Sequence, residues 1–394
     1  MTFNSNLEKN IPKLFFYSLS QRRHFITLLS IYFMTLPNST ANQIGLYSAI
    51  GLLVSFFLEL PSGYISDNFG HKKTLILSKM FMTLSMISFI IGDSFWWFAL
   101  GSAMLSTSFA FNSGTFSAFL HDTLEGMGKE KNFSKIRGKI GANVSLVSMF
   151  LIITLPFLTQ IDILLPFYIN LIFDIVGLFI VFNLKNPKKE ITINKNNRRK
   201  IISILSEAKN LGVLPFSIFS ATIIALTYTS SIYKEVYLVD LGFPIIFIGT
   251  VMGLSRFVWF LMGHNLEFLK KMFSMKNLLI FEIIFFTFSF MLISYLKNPY
   301  FVGFIFIIMI GYMWGRTPIF EEFTLNNYTK DKNYKATILS VNGQLSFMIK
   351  FVFTIIVGFI MGISYPAGFL FIGLLMFLIL TISFLNIDFK NKIY

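Results

Sequence analysis

Apolar stretches long enough to cross a bilayer recur from one end of the chain to the other, and they decide the fold class first. LLVSFFLEL, FVGFIFIIMIGYMW and GFLFIGLLMFLILTISFL belong to runs near the ~20 residues that a helix needs to cross ~30 Å of hydrocarbon. None alternates polar and apolar residues as a membrane-barrel strand would, so helices that satisfy their own backbone are expected. With 55% hydrophobic and 13% charged residues in 394, the chain has more apolar side chain than a globule of its length buries. The expectation is an all-α membrane protein.

Twelve spans are predicted at about 11–36, 42–62, 74–92, 95–120, 138–158, 164–184, 211–233, 244–263, 277–296, 300–325, 337–361 and 366–386. Every second gap is basic, as at Lys72 and Lys73, Lys129 to Arg137, Lys185 to Lys209, Lys270 to Lys276, and Lys330 to Lys335. The intervening gaps hold almost no Lys or Arg beyond Lys234 and Lys297 at their edges. The positive-inside rule then puts both termini and the long middle loop in the cytoplasm. The net charge of +14 thus reads as topology, and nucleic acid is not an expected partner. The first apolar segment lacks a small-residue cleavage site, so no removable signal peptide is expected. Heavy use of Phe, Ile, Lys and Asn suggests an AT-rich, bacterial genome, hence a bacterial cytoplasmic membrane.

The chain also repeats itself. A shift of 204 residues aligns Ile44-Gly45 with Ile248-Gly249, Phe69 with Phe273 and Lys72 with Lys276, carrying polar loop residues across together with apolar ones. Two six-helix bundles follow, residues 1–184 and 211–394, joined by the polar cytoplasmic linker 185–210.

Between the second and third spans lies GYISDNFGHKK. Gly63, Asp67, Gly70, Lys72 and Lys73 fall on the spacing of the signature loop of the major facilitator superfamily, with Glu59 to Pro61 leading into it. The chain therefore resembles that superfamily of secondary transporters, although Asn68 and His71 stand where the family usually has Arg or Lys. The glycines are expected to form the close turns of a short loop. By the resemblance, Asp67 docks near Ala336 and Thr337 at the start of the eleventh helix as a latch of the cytoplasmic gate, with Glu59 in support. The matching place in the second half, EFLKKMFSMK, has Lys271 in place of the acid.

Ionisable residues inside the predicted spans mark the candidate site, because each costs at least ~2.5 kcal/mol at mid-membrane. The first span holds Arg22, Arg23 and His24 about half-way through, fanned over about 200° if helical. Asp174, Arg256, Arg316, Glu321, Glu322 and Lys350 lie in later spans. The resemblance places spans 1, 4, 7 and 10 around a central cavity, flanked by 2, 5, 8 and 11. Arginine suits carboxylate or phosphate, so Arg22, Arg23, Arg256, Arg316 and Lys350 are candidate ligands for an anionic group on a substrate. The alternative is that the arginines pair with Asp174, Glu321 or Glu322 and hold the bundle together. Glu321, Glu322 and His24 are candidate proton carriers, while the fourth span lacks the Arg often carried there by proton-coupled exporters of the superfamily.

Enzyme readings find little support. The chain has no cysteine, its four histidines are scattered along the sequence, and no nucleotide-binding or nucleophile motif occurs. The expectation is a monomeric secondary transporter in contact with membrane lipids, without cofactor or metal, with the proton gradient as its candidate driving force. Two substrate readings stay open: a small organic solute with an anionic group, and efflux of amphiphilic drugs or metabolites by an antiporter. A channel or membrane enzyme ranks behind both.

Overall fold

The computed structural model describes residues 7–187, 213–264, 274–328 and 335–389, apart from certain side chains within them that include Glu59, Gly63, Asp67 and Glu321. Among the described residues the structure is helical throughout. The helices are α1 (Asn10–Ser20), α2 (Ile26–Met34), α3 (Ala41–Phe69), α4 (His71–Ile91), α5 (Phe95–Asn112), α6 (Thr115–Glu125), α7 (Phe133–Thr154) and α8 (Leu165–Phe182). They continue with α9 (Leu214–Asp240), α10 (Ile248–His264), α11 (Met275–Tyr295), α12 (Pro299–Gly315), α13 (Thr317–Tyr328), α14 (Lys335–Ile363) and α15 (Tyr365–Leu385). Ten helical segments among these residues are long and apolar enough to cross a membrane. The predicted first and fourth spans are instead pairs of shorter helices, α1 with α2 and α5 with α6.

Local chemistry sets many of the ends. Asn298 accepts the Tyr300 and Phe301 amides at the start of α12, and Ser274 and Ser364 cap α11 and α15 in the same way. Pro166, Pro215, Pro299 and Pro366 stand in first turns, where a missing N–H costs nothing. The duplication reaches these boundaries: both ends of α4 and both ends of α11 differ by 204 residues, as do Phe95 and Pro299, which start α5 and α12.

The chain divides into two compact units. The first comprises Met1–Ser39, Ile50–Asn196 and Ile245–Gly249; the second comprises Thr40–Ala49, Asn197–Pro244 and Thr250–Tyr394. In the first unit, Leu14, Tyr17, Leu75, Phe119, Leu124, Val144 and Val181 close a core between α1, α4, α6, α7 and α8. There α4 lies against α5 through small residues, with Ser85 Oγ donating to the Gly101 carbonyl at 2.8 Å and Ser78 Oγ to the Ser108 carbonyl at 2.9 Å. Close approach of this kind replaces hydrophobic drive where lipid is the solvent. In the second unit α9 packs against α14 and α15, and α11 against α15.

Two expected boundaries move. Of the two glycines expected to turn the signature stretch, only Gly70 does: α3 continues through Gly63 to Phe69, and Gly70, with φ 93°, makes the turn into α4. A positive φ is accessible to glycine without strain, so one residue suffices. The seventh span does not stop at 233 either, since α9 runs to Asp240 and takes Lys234 and Glu235 inside as a buried ion pair. Opposite charges on adjacent residues offset each other, so the helix continues past them.

Candidate functional site

The first unit opens at its broken first span. In an unbroken helix the Ser20 carbonyl would accept the amide of His24. Instead that carbonyl accepts Arg23 Nη2 and Lys79 Nζ, each at 2.7 Å, while the His24 amide donates to Asn170 Oδ1 at 3.0 Å. Both members of the missing bond are satisfied by side chains, as unwound backbone at membrane depth requires. The expected helical fan of Arg22, Arg23 and His24 is therefore absent. Arg23 holds Asp174 with a two-pronged grip at 2.9 and 2.6 Å, and Lys79 Nζ reaches the same carboxylate at 2.7 Å. All three side chains are buried.

Gly177, one turn beyond Asp174 on α8, makes room for this junction. A Cβ there would lie 2.1 Å from Ser20 Oγ and 2.6 Å from Lys79 Cε. Gly177→Ala is expected to cost about 1–3 kcal/mol. Gly141→Ala, whose Cβ would meet nothing nearer than 3.9 Å inside α7, should not lower the thermal transition of the purified protein, since alanine is the better helix former, and serves as the control.

The second unit has its own buried ion pair. Arg316, between α12 and α13, donates from Nε and Nη2 to Glu282 at 2.6 and 2.9 Å, and Tyr312 donates to the same carboxylate at 2.8 Å. The guanidinium also lies 3.4 Å from the centroid of the Phe320 ring. The 204-residue offset carries Asn112 onto Arg316 and Ser78 onto Glu282. In the first unit those places belong to an uncharged network, in which Tyr17 donates to Asn112 at 3.0 Å and Gln21 donates to Tyr17 and Ser78 at 2.7 and 3.1 Å. The duplicated halves thus tie corresponding helices together with different chemistry.

Within the second unit a cavity of about 170 Å³ is lined by Ile224, Thr227, Tyr228 and Ser231 of α9, Met252 of α10, Ile310, Met313 and Trp314 of α12, Thr317 of α13, and Lys350 of α14. Lys350 is half-buried, its Nζ 5.0 Å from the Tyr228 ring centroid and 5.3 Å from that of Phe347. Among the described residues it has no carboxylate partner. A cation on an otherwise apolar wall, with hydroxyls of Thr227, Ser231 and Thr317 nearby, can fix the charged end of a small solute.

The Major Facilitator Superfamily model matches residues 14–349. The chain belongs to the major facilitator superfamily. Structural comparison agrees on the fold. The nucleoside transporter NupG superposes with a TM-score of 0.80 at 13% identity, over 98% of this chain and 100% of that one. A peptide transporter POT in complex with alafosfalin gives 0.73 at 14% identity, over 96% and 94%. A bacterial homolog of the human lysosomal transporter Spinster gives 0.70 at 12%, over 98% and 97%. No curated protein matches in sequence. This facilitator is a multi-pass secondary transporter and not an enzyme.

The sequence-predicted residues of the facilitator have separate fates. Arg23 and Arg316 are consumed by Asp174 and Glu282. Arg22 is exposed, Arg256 is half-buried on α10, and Lys350 lines the cavity. His24 is tied by its ring to Ser148 Oγ at 3.2 Å as well as by its amide. Glu322 is exposed on α13, and the side chain of Glu321 lies outside the described residues. Glu59 and Asp67 near the signature stretch, and Ala336 and Thr337 at the start of α14, have side chains outside the described residues, so the expected latch does too. Lys73 is exposed, and Lys72 donates to the Phe182 carbonyl at the end of α8. His71 meets Asp122 at 3.4 Å and Ser66 Oγ at 2.8 Å. Asp122 itself clusters with His121 and Glu125 on the last turn of α6.

Sequence reasoning passed over Lys79, Glu282 and the Lys234–Glu235 pair. The signal was present, since each is a charge inside an apolar run. Tyr228 and Trp314 gave no such signal among so many aromatics.

Proposed function

We propose that this facilitator moves a small organic solute bearing an anionic group across a bacterial cytoplasmic membrane by alternating access, with both termini in the cytoplasm. The observation that carries the reading is Lys350: it borders the cavity of the second unit with aromatic rings beside it and no carboxylate partner among the described residues. Burial of Arg23 and Arg316 in ion pairs removes both from the predicted set of substrate ligands and leaves Lys350 as the member of that set that borders the cavity. Tyr228 and Trp314 favour a solute with a flat apolar body next to its charge.

The apolar lining supplied by Ile224, Met252, Ile310 and Met313 supports a second reading, efflux of amphiphilic compounds. Proteoliposome flux separates the two. The first reading expects a carboxylate-bearing aromatic solute to be carried at least ten-fold faster than its amide analogue; equal rates favour the second. In either case Glu321, Glu322 and His24 are the candidates for proton coupling. An imposed pH gradient should then drive accumulation, and of Glu321→Gln, Glu322→Gln and His24→Gln the variant that loses that response while keeping exchange marks the carrier.

The latch expected from the signature stretch remains part of this proposal. Asp67→Asn should slow transport while leaving membrane insertion at the wild-type level, as measured by flux normalised to protein in the membrane. Wild-type flux in that variant would remove the latch from the mechanism.

A further inference from the structure

Two lysines from different helices converge on the C-terminal end of α8. Lys13 of α1 donates from Nζ to the Asn183 carbonyl, and Lys72 of α4 donates from Nζ to the Phe182 carbonyl, each at 2.7 Å. The negative end of a helix favours a cation, and one would satisfy that preference. A third lysine follows at once. Lys185 is exposed, and its backbone is fixed by reciprocal hydrogen bonds with the buried side chain of Asn10, its N–H donating at 3.0 Å and its carbonyl accepting at 2.8 Å. Lys13 and Lys185 are near enough to Lys72 to repel it.

Elsewhere in the molecule Lys79, Lys129 and Lys234 each hold a carboxylate. Among the described residues none of the three converging lysines does. The positive-inside rule accounts for the sign of the charge here, but not for its gathering on one helix end. Mutual repulsion held in place by the fold calls for a counter-ion.

The surroundings indicate its kind. One turn deeper along the same helices stand Phe16, three residues after Lys13, and Phe179, three residues before Phe182; these rings, with that of Phe182 itself, are 54%, 66% and 53% exposed in that order. The cationic cluster therefore sits at the end of a membrane-spanning bundle, directly above an aromatic surface open to hydrocarbon. An inorganic anion would use the charges and leave the rings without a role. A phospholipid uses both.

We propose that Lys13, Lys72 and Lys185 bind the phosphate of an anionic phospholipid of the cytoplasmic leaflet, whose acyl chains lie along Phe16, Phe179 and Phe182. Basic clusters between spans on the cytoplasmic side suit such headgroups, at about 1 kcal/mol per lysine, or roughly five-fold in affinity.

The test is native mass spectrometry of the full chain released from nanodiscs of equal phosphatidylglycerol and phosphatidylcholine. Wild-type protein should retain phosphatidylglycerol preferentially. Lys185→Gln, which leaves both helix-end contacts intact, should lower that retention about five-fold, and Lys185→Arg should restore it. Lys13→Gln with Lys72→Gln should abolish the preference; if that protein fails to fold, the Lys185 variants decide alone. Equal retention of the two lipids by wild type, or unchanged retention in Lys185→Gln, overturns the proposal. Displacement of the bound lipid by millimolar inorganic phosphate would also overturn it and reassign the cluster to a soluble anion.

Discussion

Replacing Asp174 with alanine is expected to cost about 3–5 kcal/mol of stability, the largest structural effect of any single substitution considered for this chain. The carboxylate is fully buried and is shared by Arg23 and Lys79, whose charged ends are also out of solvent. Its removal strands two cations in a low-dielectric interior and leaves the Ser20 carbonyl as their main remaining partner. The purified variant should melt at a markedly lower temperature and lose its monodisperse profile in detergent. Lys79→Met makes the informative contrast. It leaves the Arg23–Asp174 pair neutral as a unit, and a flexible apolar chain fills the vacated space, so the loss should stay below about 1.5 kcal/mol. If both variants were equally unstable, the residues would matter through packing and not through charge.

The largest functional effect should come from Lys350→Gln. The side chain is half-buried and touches rings, so its loss takes no ion pair from the fold and the melting temperature should hold. Transport of an anionic solute should fall about ten- to hundred-fold, the range that corresponds to one hydrogen bond to a charged group, about 1.5–3 kcal/mol. Lys350→Arg should recover much of the loss, because charge persists even though its shape differs. Wild-type flux in Lys350→Gln would remove Lys350 from substrate recognition.

Ten of the twelve predicted spans, the repeat at 204 residues and the family were legible in the sequence because each rests on a pattern extending over many residues. Hydropathy fails only when it is broken, and the offset of 204 residues survives to the ends of α4 and α11. The break in the first span was not legible. It depends on Asn170 and Lys79, which lie far along the chain and take over the backbone groups of His24 and Ser20, and on Asp174, which holds Arg23 and Lys79 in place. No propensity of Gln21 to Phe25 announces that capture. The end of the seventh span was misplaced for a related reason: Lys234 reads as a boundary until Glu235 is seen to neutralise it inside the helix.

The candidate site was legible as a set of residues and not as a division of labour. A buried arginine looks the same in sequence whether it awaits a substrate or already holds a carboxylate. Arg316 is decided by Glu282, two helical segments earlier in the chain, and Arg23 by Asp174. Lys350 differs from both only in what surrounds it, which is aromatic on two sides. That difference is tertiary.

The claim that most needs testing is that the cavity of the second unit reads negative charge through Lys350. Equilibrium binding of an aromatic carboxylate and of its neutral amide, measured on wild-type and Lys350→Gln protein in the same detergent, isolates that step from gating and from proton coupling. The account predicts that wild type prefers the carboxylate by ten-fold or more and that the variant binds the two alike. A preference of equal size in both proteins would contradict it.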